Sequence, residues 1–189
     1  MPESAPPPED LSGLSLAEIA TLAEQRRLPP VERWQPQRTG HSQMRIARDG
    51  TWYHEGTPIP RPPMVRLFST LLVRDPDGSH SLVTPVEKLA IDVDEAPFVA
   101  VEMRNEGTGV DRRIAFRLNT GDLVVAGPDH GIRMAEAADG PHPYLHVRNG
   151  LDALLARAVY YELVELALEE GADPPGLWSD GVFLPLGPA

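Results

Sequence analysis

The chain has 189 residues, 41% hydrophobic and 24% charged, with a net charge of −11 and no cysteine. That length holds one large domain or two small ones. The charge argues against nonspecific binding to nucleic acid or an anionic membrane face, and the missing cysteines exclude disulfides, thiolate zinc sites and cysteine nucleophiles.

No apolar run approaches the ~20 residues that span a bilayer. The start, MPESAPPPED, is proline-rich and acidic, unlike the basic and then apolar start of a signal peptide. A cytoplasmic protein is expected, with a mobile leader over residues 5–13. Ser15-Leu-Ala-Glu18 has the form of a capping box and opens a helix through about residue 27. Leu28-Pro29-Pro30 ends it, and an extended connector with Trp34 as anchor follows.

From residue 45 the chain reads as strand, Asp49-Gly50 turn, strand, Gly56 and then a helix behind the run PIPRPP. About ninety residues later a similar unit recurs. Arg133-Met134 leads it, Asp139-Gly140 turns it, Tyr144-Leu145-His146 parallels Tyr53-His54, and Gly150 precedes a helix expected over 151–170. Between the units the pattern is β, with strands near 80–86, 89–94, 98–104, 112–119, 122–127, 131–136 and 143–148. The alternation is clearest where Ile114, Phe116 and Leu118 share one face. The fold class is therefore α+β, in two domains with an internally duplicated strand-turn-strand-helix unit. Residues 1–78 form an N-terminal domain. Residues 79–189 form seven antiparallel strands closed by the long helix, with the tail docked through Trp178 and Phe183.

Candidate site residues cluster around the two helix starts. A helix N-terminus attracts anions through its free N–H groups and dipole. Arg61 and Arg148 flank the two starts, with Asn149 as cap of the second. Pro62 and Pro63 have no N–H to offer, so Arg61 itself would do the binding at the first. On a helical wheel from Leu151, Arg157 falls in the apolar sector between Tyr161, Val164 and Leu168, where a guanidinium needs an anion. That anion is either a carboxylate of the chain or a ligand. Lys88 is the one lysine beside sixteen arginines. It and Thr84 are weaker candidates, and Trp52 or Tyr144 offers a ring face if not core. Between Arg26 and Arg66, eight arginines stand against three acids, either an anion-attracting patch or a self-balanced surface.

Catalytic motifs are missing: no Gly-x-Ser-x-Gly elbow, no phosphate loop and no dinucleotide fingerprint. His142 and His146 share a strand face but lack an acidic third ligand, so no metal and no cofactor is expected.

The segments RIARDGTWYHEGTPIPR, VRLFSTLL, LVTPVEKLAIDVDEAPFVAVE, FRLNTGDLVVAG and PYLHVRNGLDALLARAVYYELVE, taken in order, resemble the bacterial family DUF1285 from about residue 31 to the C-terminus. The resemblance implies a duplicated two-domain α+β fold whose second domain is a pleckstrin-homology-like barrel. It also implies an interdomain groove for a nucleotide-like ligand in signalling. One segment departs: the family's acidic stretch before MRIA is Gly-His-Ser-Gln here, residues 40–43, so a contact made by those acids does not carry over. The leading expectation is a non-enzymatic sensor or adaptor, binding a small anionic ligand such as a nucleotide between the units. The alternatives are a protein-interaction module without a small ligand, and a hydrolase or transferase using the acids near Asp92 and Glu95.

Overall fold

The structure, a computed structural model, describes residues 14–26 and 28–187. The leader expected over 5–13 lies outside them. Helix α1 (Leu16–Gln25) starts at the expected capping box: the Glu18 N–H donates to Ser15 Oγ at 3.3 Å, and the Ser15 N–H donates to Glu18 Oε2 at 2.8 Å. Its Ile19 is fully buried against Ala115, Leu123 and Val125.

The body is two six-stranded sheets. The first contains β1 (Arg38–Ile46), β2 (Trp52–His54), β3 (Thr57–Pro58), β4 (Leu72–Arg74), β5 (His80–Val83) and β6 (Glu87–Val93), with helix α2 (Pro62–Thr70) between β3 and β4. Its strand order is β3-β2-β1-β6-β5-β4. The second contains β7 (Phe98–Glu106), β8 (Arg113–Leu118), β9 (Leu123–Val125), β10 (Ile132–Ala137), β11 (Gly140–Arg148) and β12 (Leu151–Leu155), in the order β10-β11-β12-β7-β8-β9. Each sheet is two antiparallel meanders joined at the centre by one parallel pair, β1 with β6 and β12 with β7. Helix α3 (Arg157–Glu170) and a hairpin of β13 (Gly176–Ser179) and β14 (Val182–Pro185) complete the chain. One apolar cluster runs through both sheets, from Ile46, Trp52 and Leu72 to Phe98, Phe116, Leu145 and Leu163. No helix among the described residues is long and apolar enough to cross a membrane.

Three expectations are corrected. No closed barrel forms: the strands expected at 80–86 and 89–94 pair with β4 and β1 in the first sheet, leaving six strands in the second. The expected helix 151–170 begins at Arg157, because Leu151–Leu155 is a strand held between β11 and β7. Leu-Asp-Ala-Leu-Leu has good helix propensity, but pairing on both sides and near-complete burial override it. What repeats is also different. The two expected hairpin-helix units occupy unequal places, β1-β2 running out from the centre of one sheet and β10-β11 running in from the edge of the other. The strand order of a whole six-stranded sheet is what recurs. The tail does dock, but through Leu177, Leu184 and Leu186, which join the core; Trp178 and Phe183, expected to dock it, instead pair with each other across the β13–β14 hairpin, edge to face at 5.6 Å.

At the seam between the sheets, the Asn119 side chain accepts from Val99 N–H at 2.9 Å and donates to the Gly50 carbonyl at 3.1 Å. Gly50 has φ +86°, and a Cβ there would lie 2.5 Å from Asn119 Nδ2. Gly50→Ala combines left-handed strain with displacement of that amide, and should cost about 2–3 kcal/mol. Urea unfolding measures it; a loss below ~0.5 kcal/mol would show that the seam does not depend on this bond.

Candidate functional site

A polar groove of about 400 Å³ lies between β4–β6 of the first sheet and β10–β12 of the second. It continues into a hollow of about 570 Å³ that shares Arg74, Arg133, Gly150 and Asp152 and adds His146. Strand register builds its wall: Arg133 is opposite Tyr144, and His146 is opposite Asp152, so all four project from one face. The Arg133 guanidinium lies 4.6 Å from the centre of the Tyr144 ring and donates to Asp152 Oδ2 at 2.8 Å. His146 Nδ1 is 3.1 Å from Asp152 Oδ1. Asp152 is only 9% exposed, and burying a carboxylate is costly without hydrogen-bonded partners such as these two.

Arg74 reaches in from the first sheet, donating to the Gly150 carbonyl at 3.1 Å, and has no carboxylate partner among the described residues. His80 stands beside it; burial, and then the Arg74 charge, hold its pKa below the ordinary histidine value. At the other end Glu95 is fully engaged. It accepts from Arg48 Nε at 2.7 Å and Tyr144 OH at 2.8 Å, and pairs with His142 Nδ1. His142 Nε2 meets Asp139 at 2.8 Å. The groove thus has an internally neutralised end around Glu95 and a cationic end of Arg74, Arg133 and His146 around one acid.

Of the eight residues expected at the site, the groove contains Tyr144 alone. Its half-buried ring is covered by Arg133, and its hydroxyl is committed to Glu95. Trp52 is core, 1% exposed and stacked on Phe68 at 6.4 Å. Arg61 is exposed at the start of α2, without a side-chain hydrogen bond. Arg148 turns away from the groove, donating to the Ser69 carbonyl near the C-terminal end of α2 at 2.7 Å and lying over Phe98 at 5.1 Å. There it lines a separate hollow with Arg26, which pairs with Asp122, and burial pulls its pKa down to about 10.

Asn149 is no helix cap. It sits at φ +46° in the tight turn into β12, and α3 is capped by Ala156. Arg157 is not buried either. Helix α3 packs inward through Val159, Leu163 and Ala167, so the sector of Arg157, Tyr161 and Leu168 faces solvent. Thr84 Oγ1 accepts from the Val86 and Glu87 N–H groups in the β5–β6 turn, and Lys88 pairs with Asp75. His142 and His146 go to separate carboxylates, and no cluster of three metal-ligating side chains occurs among the described residues. The departing Gly-His-Ser-Gln segment forms an irregularity in β1, where Ser42 Oγ donates to the Ala90 carbonyl at 2.8 Å and Gln43 takes φ +59°.

With this geometry in place, known proteins give the relationship. The model of the DUF1285 N-terminal domain matches residues 29–96, and that of the DUF1285 C-terminal domain, a protein of unknown function, matches 97–186. The chain belongs to the DUF1285 family. A solved DUF1285 family protein from Silicibacter pomeroyi DSS-3 is 47% identical, with a TM-score of 0.76 over 88% of this chain and 93% of that one. Another DUF1285 family protein, from Shewanella baltica OS155, is 27% identical, with a TM-score of 0.53 over 66% of this chain and 92% of that one. The search of curated proteins gives no match. The two family models meet between Ala96 and Pro97, at the floor of the groove.

Burial, together with the bond to Glu95, pushes the Tyr144 phenol up to about 12. A raised pKa means that the folded state holds this proton more tightly, so the associated stability is intact below about pH 10 and is lost as pH rises toward about 12. In an ultraviolet phenol titration, Tyr144→Phe should remove the last-ionising of the four tyrosines. Loss of an earlier-ionising phenol instead would contradict the Glu95 contact.

Proposed function

We propose that this DUF1285 chain is a non-enzymatic sensor or adaptor of the cytoplasm, which binds a small anionic, nucleotide-like ligand in the groove between its two sheets and relays its presence in signalling. The observation that carries this reading is the cationic end of the groove. In a chain of net charge −11, Arg133 and His146 meet a single buried carboxylate, and Arg74 lines the same hollow with no carboxylate partner among the described residues. A cation left unneutralised in an acidic protein favours an anion from outside. The volume suits a small molecule, sites for which run from about 300 to 1,000 Å³.

The groove offers no activated nucleophile among its serines. Ser79 Oγ donates to Asp77 at 2.6 Å, within its own turn. A second reading, a protein-interaction module, is favoured by one feature: Tyr161 and Leu168 on α3 are 56% and 68% exposed, and apolar side chains gathered on one face attract partners.

Thermal unfolding against nucleotides, dinucleotides and plain phosphate separates the two. A ligand at 100-fold over its dissociation constant should add about 2.7 kcal/mol, several degrees in Tm for a chain of this size. The shift should vanish in a folded Arg133→Gln and persist in Arg61→Gln. A panel without any shift would move the assignment to the α3 surface.

A further inference from the structure

We infer that the cationic end of the groove is a subsite for a dianionic tetrahedral oxyanion, the terminal phosphate of a monoester or free phosphate, bound with uptake of a proton on His146. This rests on the groove reading above and goes further by naming the charge and shape of the group held there.

The donors come from three strands. Arg74 stands on β4, Arg133 on β10 and His146 on β11, and all three line one hollow with Asp152. A carboxylate is satisfied by one guanidinium fork, whereas a tetrahedral oxyanion presents oxygens in several directions and uses donors arriving from different sides. Asp152 decides the proton. Its Oδ1 faces His146 Nδ1 and its Oδ2 holds Arg133, so Nδ1–H donates to the carboxylate and Nε2 is left without a protein partner among the described residues.

Charge balance then selects the ligand. Two guanidiniums against Asp152 leave a single net positive charge before any proton is added to the His146 ring. A dianion entering this space brings one negative charge too many, and protonation at Nε2 restores neutrality while adding a third donor. His80, the other histidine of the groove, lies beside Arg74, and burial, then that charge, hold its pKa below the ordinary histidine value. The groups facing His146 are therefore Asp152 on its own sheet, Arg133 across β11, and Arg74 with His80 from the first sheet. The ring of His130 bonds only the His146 carbonyl, at 3.1 Å. Gly131 and Gly150 line the same hollow without side chains, which leaves room for a group as wide as phosphate.

Sulfate is the discriminating probe, because it stays dianionic while the histidine titrates. Calorimetry on the full chain should show sulfate binding tighten by ~10-fold between about pH 8 and pH 6, with affinity lost again as pH rises through the bound-state pKa of His146. His146→Asn should abolish that dependence, and Arg61→Gln should leave it intact. Histidine-ring NMR of the unmutated chain gives the same answer if the variant fails to fold: saturating sulfate should raise the midpoint of one ring that faces the groove. Inorganic phosphate and a nucleoside 5′-monophosphate distinguish the source, and either one binding keeps the subsite. Dimethyl phosphate, a monoanion, should bind at least ~10-fold more weakly than sulfate. Sulfate affinity that is flat with pH, or unchanged in His146→Asn, overturns the subsite while a nucleotide-induced Tm shift keeps the groove reading alive. Absence of binding by sulfate, phosphate and every nucleotide overturns both.

Discussion

Strand β12 lies between β11 and β7, antiparallel to one and parallel to the other, and much of the molecule depends on that position. A parallel neighbour cannot be reached through a tight turn. The chain therefore leaves β7, steps outward through β8 and β9, crosses to the opposite edge at β10, and returns inward through β11 to the centre with Leu151–Leu155. The first sheet solves the same problem in the same way, with β6 returning to lie beside β1. Each return places a strand at the centre of its sheet, and in the second sheet that strand is almost wholly buried. In the second sheet it also carries Asp152 inward, and an interior carboxylate recruits cations around it.

The distribution of those cations explains how an acidic chain joins its halves. Arginines cross the seam at several points and end mostly on fixed acceptors. Arg148 bonds a carbonyl near the C-terminal end of α2, where the helix dipole favours positive charge. Arg48 is spent on Glu95 and Asp139, together with His142. These contacts read as joints. Arg74 and Arg133 differ, because their protein partners do not use up their charge, and the hollow they share is open. The contrast between neutralised joints and one under-neutralised corner gives the groove its direction.

The two histidines of β11 show the same division at smaller scale. His142 is held on both ring nitrogens, by Glu95 and Asp139. His146, four residues on and on the same face, is held on one and open on the other. A doubly bonded imidazole stiffens the seam, and a singly bonded one is available to a ligand. Neither role is visible in the spacing of the two residues, which is the same whichever acid each one meets.

Local patterns alone determined the capping box of α1, the Asp-Gly hairpin turns and the alternating strands of 98–118, since each rests on bonds or periodicities within a few residues. The resemblance to DUF1285 was likewise legible from ordered motifs along most of the chain. Tertiary structure decided the rest. Leu151–Leu155 is helical by propensity and a strand by pairing, and that one difference exposes Arg157, turns Asn149 from a cap into a bend and buries Asp152. The residues that make the cationic corner, Arg74, Arg133, His146 and Asp152, come from four strands of two sheets. Sequence spacing says nothing about which side chains meet across a sheet or between sheets, because register and long-range pairing are set by burial of the shared core.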